Sequence, residues 1–208
     1  MKVLFYGDSI TDAGRNYSLL YGEESYGHGY VKYVAAGLKE RGLAEEEIIN
    51  KGISGNRIVD LYARIKVDCW NHTPDFISIL IGVNDVWHEI EHRNGVEIDR
   101  FEKMYRILIE DTKKVLPNVK ILLCEPFVLQ GISTAEKFAQ FEEVYKYAEV
   151  VKRLAEEYDL YFLPLQEVLS KEAAGKEAEY LVDGVHPAEA GAKLIASEWL
   201  KVFERIQK

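Results

Sequence analysis

Two segments near opposite ends of the chain carry residue types that together can hydrolyse an ester. The apolar run Val3–Tyr6 leads through Gly7 and Asp8 to a serine, which indicates a buried strand that delivers Ser9 into a turn. Far along the chain, Asp183 and His186 lie three residues apart. A serine hydroxyl needs a base, and a neutral imidazole oriented by a carboxylate serves as one near pH 7. We therefore predict Ser9 as nucleophile, His186 as base and Asp183 as its orienting carboxylate.

Acyl transfer also needs hydrogen-bond donors for the oxyanion of the tetrahedral intermediate. Glycine lets a backbone N–H group approach closely, and an asparagine amide adds a directed side-chain donor. Gly55 follows the second apolar run of the chain, and Asn84 follows the third. We assign the oxyanion hole to the N–H groups of Ser9 and Gly55 and to the side chain of Asn84.

Short apolar runs alternate with longer amphipathic ones along the chain, which is typical of a parallel sheet covered by helices on both faces. Apolar residues spaced by three and four predict a helix from Phe138 to Tyr158 and a terminal helix ending near Ile206, with Pro187 in its first turn. Ligands of such sheets bind beyond the carboxyl ends of the strands, where the candidate residues lie. The predicted strands are Val3–Tyr6, Ile48–Asn50, Phe76–Ile81, Ile121–Glu125 and Tyr161–Leu163.

No repeat, low-complexity tract or linker-like segment divides the 208 residues. We therefore expect a single α/β domain over residues 1–208, a three-layer α/β/α sandwich with a central, mostly parallel sheet of about five strands.

Composition narrows the classes of partner. The formal net charge is −9, which argues against nucleic acid and anionic membranes because those contacts need clustered Lys and Arg. No apolar stretch approaches the length of a membrane span and no secretory leader is visible, so we expect a cytoplasmic protein. Cys69 and Cys124 lie too far apart in the sequence to form a metal knuckle, and we expect both to be small buried hydrophobes. We expect no metal or other cofactor.

The candidate residues resemble the four sequence blocks of the SGNH hydrolases, also called GDSL esterases. The signature letters fall on Ser9, Gly55, Asn84 and His186, with Asp183 in the Asp-x-x-His block. The likeness covers nearly the whole chain and implies the flavodoxin-like fold of that superfamily. The chain departs from the name-giving motif only in having isoleucine after the serine where the motif has leucine.

A narrower likeness involves Phe5–Arg15, Gly27–Val31, Ile81–Trp87 and Glu125–Phe127, which resemble the intracellular acetyl-xylan esterase branch. Members of that branch remove acetyl groups from xylo-oligosaccharides and tend to form homo-oligomers. The resemblance thus implies a serine esterase that acts through an acyl-enzyme on short-chain acyl esters such as acetylated sugars. Lysophospholipase or thioesterase activity is the alternative within the same superfamily.

Two other functional classes have support in the sequence. His88 and His92 fall in a His-Glu-x-x-His string, the ligand pattern of zinc hydrolases. The motif needs a continuous helix, and we expect a solvated charged turn here because Asn94-Gly95 follows almost at once. A non-catalytic carbohydrate-binding protein is the second class, since aromatic faces stack on sugar rings. Such a binder has no need of the serine, aspartate and histidine together. The candidate substrate contacts are Asp8, Tyr26 and Trp87.

Overall fold

The structure is a computed structural model that describes residues 1–207. Five parallel strands form one sheet in the order β2-β1-β3-β4-β5. The strands are β1 (Val3–Gly7), β2 (Ile48–Gly52), β3 (Phe76–Leu80), β4 (Lys120–Cys124) and β5 (Tyr161–Leu163).

Ten α-helices lie within the described residues, and three of them, α1, α4 and α8, begin within three residues of a strand end. The α-helices are α1 (Ser9–Asp12), α2 (Tyr30–Glu40), α3 (Ile58–Asp68), α4 (Val83–His92), α5 (Ile98–Val115), α6 (Phe138–Phe141), α7 (Glu143–Glu157), α8 (Gln166–Ala173), α9 (Glu177–Tyr180) and α10 (Glu189–Ile206). Short 3₁₀ helices cover Glu23–Tyr26, Glu45–Glu47, Trp70–His72 and Ala135–Lys137.

The helices form two layers around the sheet. Helix α2 packs against α10, whereas α3, α5 and α7 pack against one another in series. All five residues of β1 and of β3 are buried, as expected for central strands covered on both faces. The predicted three-layer α/β/α sandwich is therefore confirmed, with a fully parallel five-stranded sheet.

The core beneath the α2–α10 layer is centred on Trp199. Its ring centroid lies 5.2 Å from that of Phe5, 5.6 Å from that of Phe76 and 5.2 Å from that of Phe203. Its indole N–H donates to Ser78 Oγ at 2.9 Å, so the one polar atom of this side chain is satisfied in the core. This cluster ties the terminal helix to the first and third strands.

The predicted strands are all present, with ends that differ by one or two residues. Cys69 and Cys124 are free, buried thiols, as expected. The start of the terminal helix was predicted wrongly, because α10 begins at Glu189 and Pro187 lies before it. Pro187 instead forms an antiparallel bridge with Leu181, since proline needs no N–H partner at such a position.

Candidate active site

The register of the sheet brings three loops to one edge. Gly7, the last residue of β1, is paired with Gly52 at the end of β2 and with Leu80 at the end of β3. The chain runs from β1 to β2 on one side and continues to β3 on the other, so the strand order reverses at this point. Ligand sites of open parallel sheets form at such switch points, beyond the carboxyl ends of the strands. The segments carrying Ser9, Gly55 and Asn84 all emerge there.

The structure brings the two ends of the chain together at this edge. Ser9 Oγ lies 2.8 Å from His186 Nε2, and His186 Nδ1 lies 2.7 Å from Asp183 Oδ2. Both distances are those of hydrogen bonds, and the imidazole uses a different nitrogen for each. The three side chains form one continuous chain of hydrogen bonds. This is the geometry in which an imidazole can take the serine proton while a carboxylate holds its far side.

A tight turn positions Asp183 and His186 relative to each other. Asp183 Oδ1 accepts the backbone N–H of Val185 at 3.0 Å and that of His186 at 2.8 Å. The N–H of Val182 donates to the carbonyl of His186 at 2.8 Å and closes the turn. One oxygen of the Asp183 carboxylate therefore stabilises the turn, and the other accepts a hydrogen bond from the imidazole. The three-residue spacing allows one side chain to make both sets of contacts.

The electrostatics of the pair follow from this geometry. Burial of Asp183 disfavours its charged form, but hydrogen bonds from the His186 side chain and from two backbone N–H groups outweigh it and lower the pKa of Asp183 to about 2. The hydrogen bond to Asp183 raises the pKa of His186, against the opposing effect of burial. Asp183 is thus ionised at neutral pH, and His186 becomes a free base only above its raised pKa.

Asp8 supports the turn that carries Ser9 from inside the protein. It is the N-cap of α1, where its Oδ1 accepts the N–H of Ile10 at 2.9 Å. The side chain is 0% exposed, Oδ2 has no hydrogen-bond partner in residues 1–207, and burial raises the pKa of Asp8 to about 7. The first N–H groups of a helix have no partner within it, so the N–H of Ser9 is left for a ligand. Asp8 therefore caps the helix, and its prediction as a substrate contact is corrected.

Of the two other predicted oxyanion donors, Asn84 lies in the first turn of α4 and Gly55 lies on the loop after β2. Asn84 Nδ2 donates to the carbonyl of Asn56 at 3.1 Å, which fixes the amide and leaves its second N–H for another acceptor. Gly55 has a φ of +79°, in the left-handed region, while a Cβ there would meet only the His88 ring, at 3.8 Å. Backbone conformation rather than space therefore requires glycine at this position.

Asp12 ties the loop before Gly55 to the helix that carries Ser9. Its Oδ2 accepts the backbone N–H of Ser54 at 3.1 Å, the Ser54 hydroxyl at 2.6 Å and the Tyr17 hydroxyl at 2.6 Å. The helix of Ser9 and the loop before Gly55 are thus held together by one buried carboxylate. The Ser54 partner lies 42 residues away in the sequence, so local sequence patterns do not indicate this contact.

Arg64 performs a similar task from α3. Its guanidinium donates to the carbonyls of Gly7 at 3.1 Å and Lys51 at 2.8 Å, and to Asn56 Oδ1 at 2.6 Å. An ion pair with Asp68 at 3.1 Å, one helical turn away, balances its charge. Arg64 therefore joins the ends of β1 and β2 to the loop that holds the Asn84 amide. Sequence reasoning missed this residue, because an arginine on an amphipathic helix resembles any solvated charge.

The two aromatic residues predicted as substrate contacts, Trp87 and Tyr26, differ in their exposure. The Trp87 ring centroid lies 5.9 Å from that of His186 and 5.5 Å from that of Phe141, and the side chain is half-buried beside the base. Tyr26 is only 1% exposed, and its hydroxyl donates to the carbonyl of Glu45 at 3.4 Å. Tyr26 is therefore a core residue with no free face for a sugar ring, which corrects that prediction.

The His88–His92 segment is the end of a helix, so the expected charged turn is wrong. Helix α4 continues to His92 because Arg93 adopts the left-handed conformation and its N–H closes onto the carbonyls of His88 and Glu89. The two imidazole centroids lie 5.9 Å apart. Within residues 1–207, no group of three or more His, Cys, Asp or Glu side chains is placed to hold a metal ion. His88 and His92 thus have the helical spacing of a zinc-binding motif, but no third metal ligand joins them within residues 1–207.

Comparison with known proteins gives a family to which this geometry belongs. The model of the GDSL-like lipase/acylhydrolase family matches residues 5–194. The chain belongs to this family. Consistent with that, the protein is 36% identical to an acetylxylan esterase of Geobacillus stearothermophilus, over 96% of this chain and 92% of that protein.

Solved structures agree with the family assignment. A structure from Parabacteroides merdae described as a GDSL-like lipase matches with a TM-score of 0.91 and 37% identity, over 97% of this chain and 94% of that one. The crystal structure of the G. stearothermophilus acetylxylan esterase matches with a TM-score of 0.82 and 36% identity, over 97% and 93% of the two chains. The protein is thus a carboxylic ester hydrolase of the GDSL family. None of the helices of this esterase within residues 1–207 is both long and apolar enough to span a bilayer.

Removing the charge of Asp183 should lower the pKa of His186. Asp183→Asn keeps the shape of the side chain but loses the negative charge that favours the imidazolium. The pKa of His186 should therefore be lower in this variant than in the unaltered protein. NMR titration of the imidazole resonances measures this directly. Glu189→Gln is the control, because that exposed carboxylate pairs with Lys193. A His186 pKa that stays in place in Asp183→Asn contradicts the electrostatic coupling.

Proposed function

We propose that this esterase removes acetyl groups from acetylated xylo-oligosaccharides through an acyl-enzyme, on a single domain spanning residues 1–208. The observation that carries the proposal is the hydrogen-bonded chain from Ser9 through His186 to Asp183. Similarity to the G. stearothermophilus acetylxylan esterase supports the substrate class. The candidate residues then take the following roles.

In the first step, Ser9 Oγ attacks the acetyl carbonyl carbon while His186 Nε2 takes the hydroxyl proton. Asp183 holds the other imidazole nitrogen and stabilises the imidazolium that forms. The carbonyl oxygen becomes an oxyanion, which accepts hydrogen bonds from the N–H groups of Ser9 and Gly55 and from the amide of Asn84. When the intermediate collapses, the bond to the sugar oxygen breaks and His186 donates its proton to that oxygen.

The second step releases the acetyl group. A water molecule enters the position left by the sugar, and His186 takes one of its protons as the oxygen attacks the acyl carbon. The same donors stabilise the second oxyanion. The Ser9 ester bond then breaks, the proton returns to Ser9 Oγ, and acetate leaves. Both steps use one base, so the rate should depend on a single ionisation on its rising limb.

Crystal structures of the G. stearothermophilus enzyme support these role assignments. They include catalytic mutants in which a serine, an aspartate or a histidine is replaced by alanine. The mutated aspartate and histidine lie three positions apart, as Asp183 and His186 do. The same three residue types at the same spacing favour the same division of roles here.

Replacing the nucleophile should abolish turnover. Ser9→Ala leaves His186 without a hydroxyl to activate, and kcat for p-nitrophenyl acetate should fall on the order of 10⁶-fold. The control is Ser197→Ala, an exposed serine on α10. Circular dichroism of both variants verifies folding. Turnover that persists in folded Ser9→Ala would remove Ser9 from its role.

Removing one oxyanion donor should lower kcat with little change in KM. Asn84→Ala removes a donor that matters mainly once the oxyanion forms, so kcat should fall by about 10²–10³-fold. Asn71→Ala, at an exposed asparagine, is the matched control. Steady-state kinetics with p-nitrophenyl acetate separate the two parameters. A loss confined to KM would place Asn84 in ground-state binding.

Acyl length and sugar substrates test the specificity. Similarity to the G. stearothermophilus acetylxylan esterase supports a short acyl group. Across p-nitrophenyl esters from acetyl to palmitoyl, kcat/KM should fall by about tenfold or more once the acyl chain outgrows the site. Acetylated xylo-oligosaccharides should release acetate in the same assay series. A preference for long chains would favour the lysophospholipase or thioesterase class.

We also propose that the esterase is a cytoplasmic homo-oligomer. The two unpaired buried thiols are typical of a reducing compartment.

Ile132 and Val182 are 86% and 52% exposed, and both flank the turn that carries Asp183. Exposed apolar side chains grouped in this way favour contact with another chain. Analytical ultracentrifugation should give a mass that is a multiple of 23.9 kDa, which the double variant Ile132→Glu, Val182→Glu should reduce. A monomeric mass for the unaltered chain contradicts the proposal.

A further inference from the structure

A second histidine lines the same small cleft as Ser9. The cleft has a volume of about 220 Å³, and its lining includes Ser9, His186, Pro187, Ala13 and His28. The side chain of His28 is exposed and makes no hydrogen bond to any of residues 1–207. An imidazole thus lines the cleft with both nitrogens available.

The loop that carries His28 is built to a fixed position. The N–H of His28 donates to the carbonyl of Ala13 at 2.8 Å. Gly27 has a φ of +75°, and a Cβ there would lie 2.3 Å from the carbonyl oxygen of Asp12. The loop therefore presses against the end of α1, the helix that begins at Ser9. This contact fixes the position of the His28 backbone relative to the helix that begins at Ser9 before any ligand binds.

The chemistry of the reaction assigns this cleft to the leaving alcohol. The carbonyl oxygen must point to Gly55 and Asn84, neither of which lines the cleft. The leaving oxygen must lie next to His186, which donates its proton and does line the cleft. A group attached to the leaving oxygen therefore extends into the space between His186 and His28.

We propose that this cleft binds the sugar ring that bears the ester and that His28 is a specificity-determining residue that hydrogen-bonds a hydroxyl of that ring. The inference rests on the proposed function and extends it to the part of the substrate that leaves. A neutral imidazole offers one donor and one acceptor, which suits a hydroxyl that needs either. The half-buried apolar side chains of Ala13 and Pro187 supply a surface for the C–H face of the ring.

The volume of the cleft limits what it accepts. It is smaller than the ~300–1,000 Å³ typical of pockets for drug-sized ligands, so it suits one ring rather than a long chain. Exposed histidines without a partner are ordinary on protein surfaces. His28 differs from exposed His92 because His28 lines the same cleft as the nucleophile and the base, whereas His92 lies at the far end of α4.

The experiment compares substrates with and without sugar hydroxyls. In His28→Ala, kcat/KM for acetylated xylobiose should fall by about tenfold relative to kcat/KM for p-nitrophenyl acetate, mostly through KM, because one hydrogen bond is lost. His28→Gln keeps a donor and an acceptor and should recover part of the loss. His92→Ala is the matched histidine control and should match the unaltered enzyme.

A binding readout separates this inference from the proposed function. Xylobiose without acetyl groups should inhibit p-nitrophenyl acetate hydrolysis by occupying the cleft, with a Ki about tenfold weaker in His28→Ala. If the unaltered enzyme deacetylates xylobiose esters but His28→Ala changes neither the substrate ratio nor the Ki, the cleft assignment is overturned and the proposed function stands. If acetylated xylobiose is not a substrate but xylobiose inhibits through His28, the proposed function fails and the cleft assignment stands. Absence of both effects overturns both.

Discussion

The parallel pairing of β1 with both of its neighbours is the constraint on which the site depends. Gly7 ends β1 between Gly52 and Leu80, so the loops that follow these three adjacent strands all begin at the same edge of the sheet. The serine, the oxyanion loop and the asparagine then need only short turns to meet. His186 arrives from 177 residues away, and it reaches Ser9 because α10 is packed beneath the same strands through Trp199. Core packing thus sets the geometry of the chemistry.

Around this edge, several carboxyl groups are buried, and each holds a backbone segment in place. Asp8 caps the helix of Ser9, Asp12 accepts two hydrogen bonds from Ser54, and Asp85 accepts the N–H of Ile58 at the start of α3. Burial raises the pKa of Asp8 and of Asp85, because the charged form of each carboxyl is disfavoured away from water. Buried carboxyls of this kind fix loop positions more firmly than exposed ones, because water cannot replace their partners.

The two sides of His186 have different surroundings. Asp183 lies behind the imidazole and Trp87 flanks it, while the cleft lined by His28 opens in front of it. The His186 imidazole is therefore fixed in orientation and raised in pKa by one contact, yet it faces the cleft. In the proposed mechanism, His28 would position a sugar ring in this cleft and His186 would donate its proton to the leaving oxygen.

The sequence alone determined the strand–helix alternation, the parallel sheet and the set Ser9, Asp183 and His186, because hydrophobic periodicity and short turn motifs are local signals. Only the tertiary structure decided which neighbours of that set are accessible. Asp8 and Tyr26 looked available but are buried, while His28 looked unremarkable but lines the cleft. The His88–His92 segment is helical because Arg93 closes the last turn, which no local rule required. Burial depends on how elements distant in sequence pack side by side, and so do contacts such as that between Asp12 and Ser54. A local sequence pattern does not determine that packing.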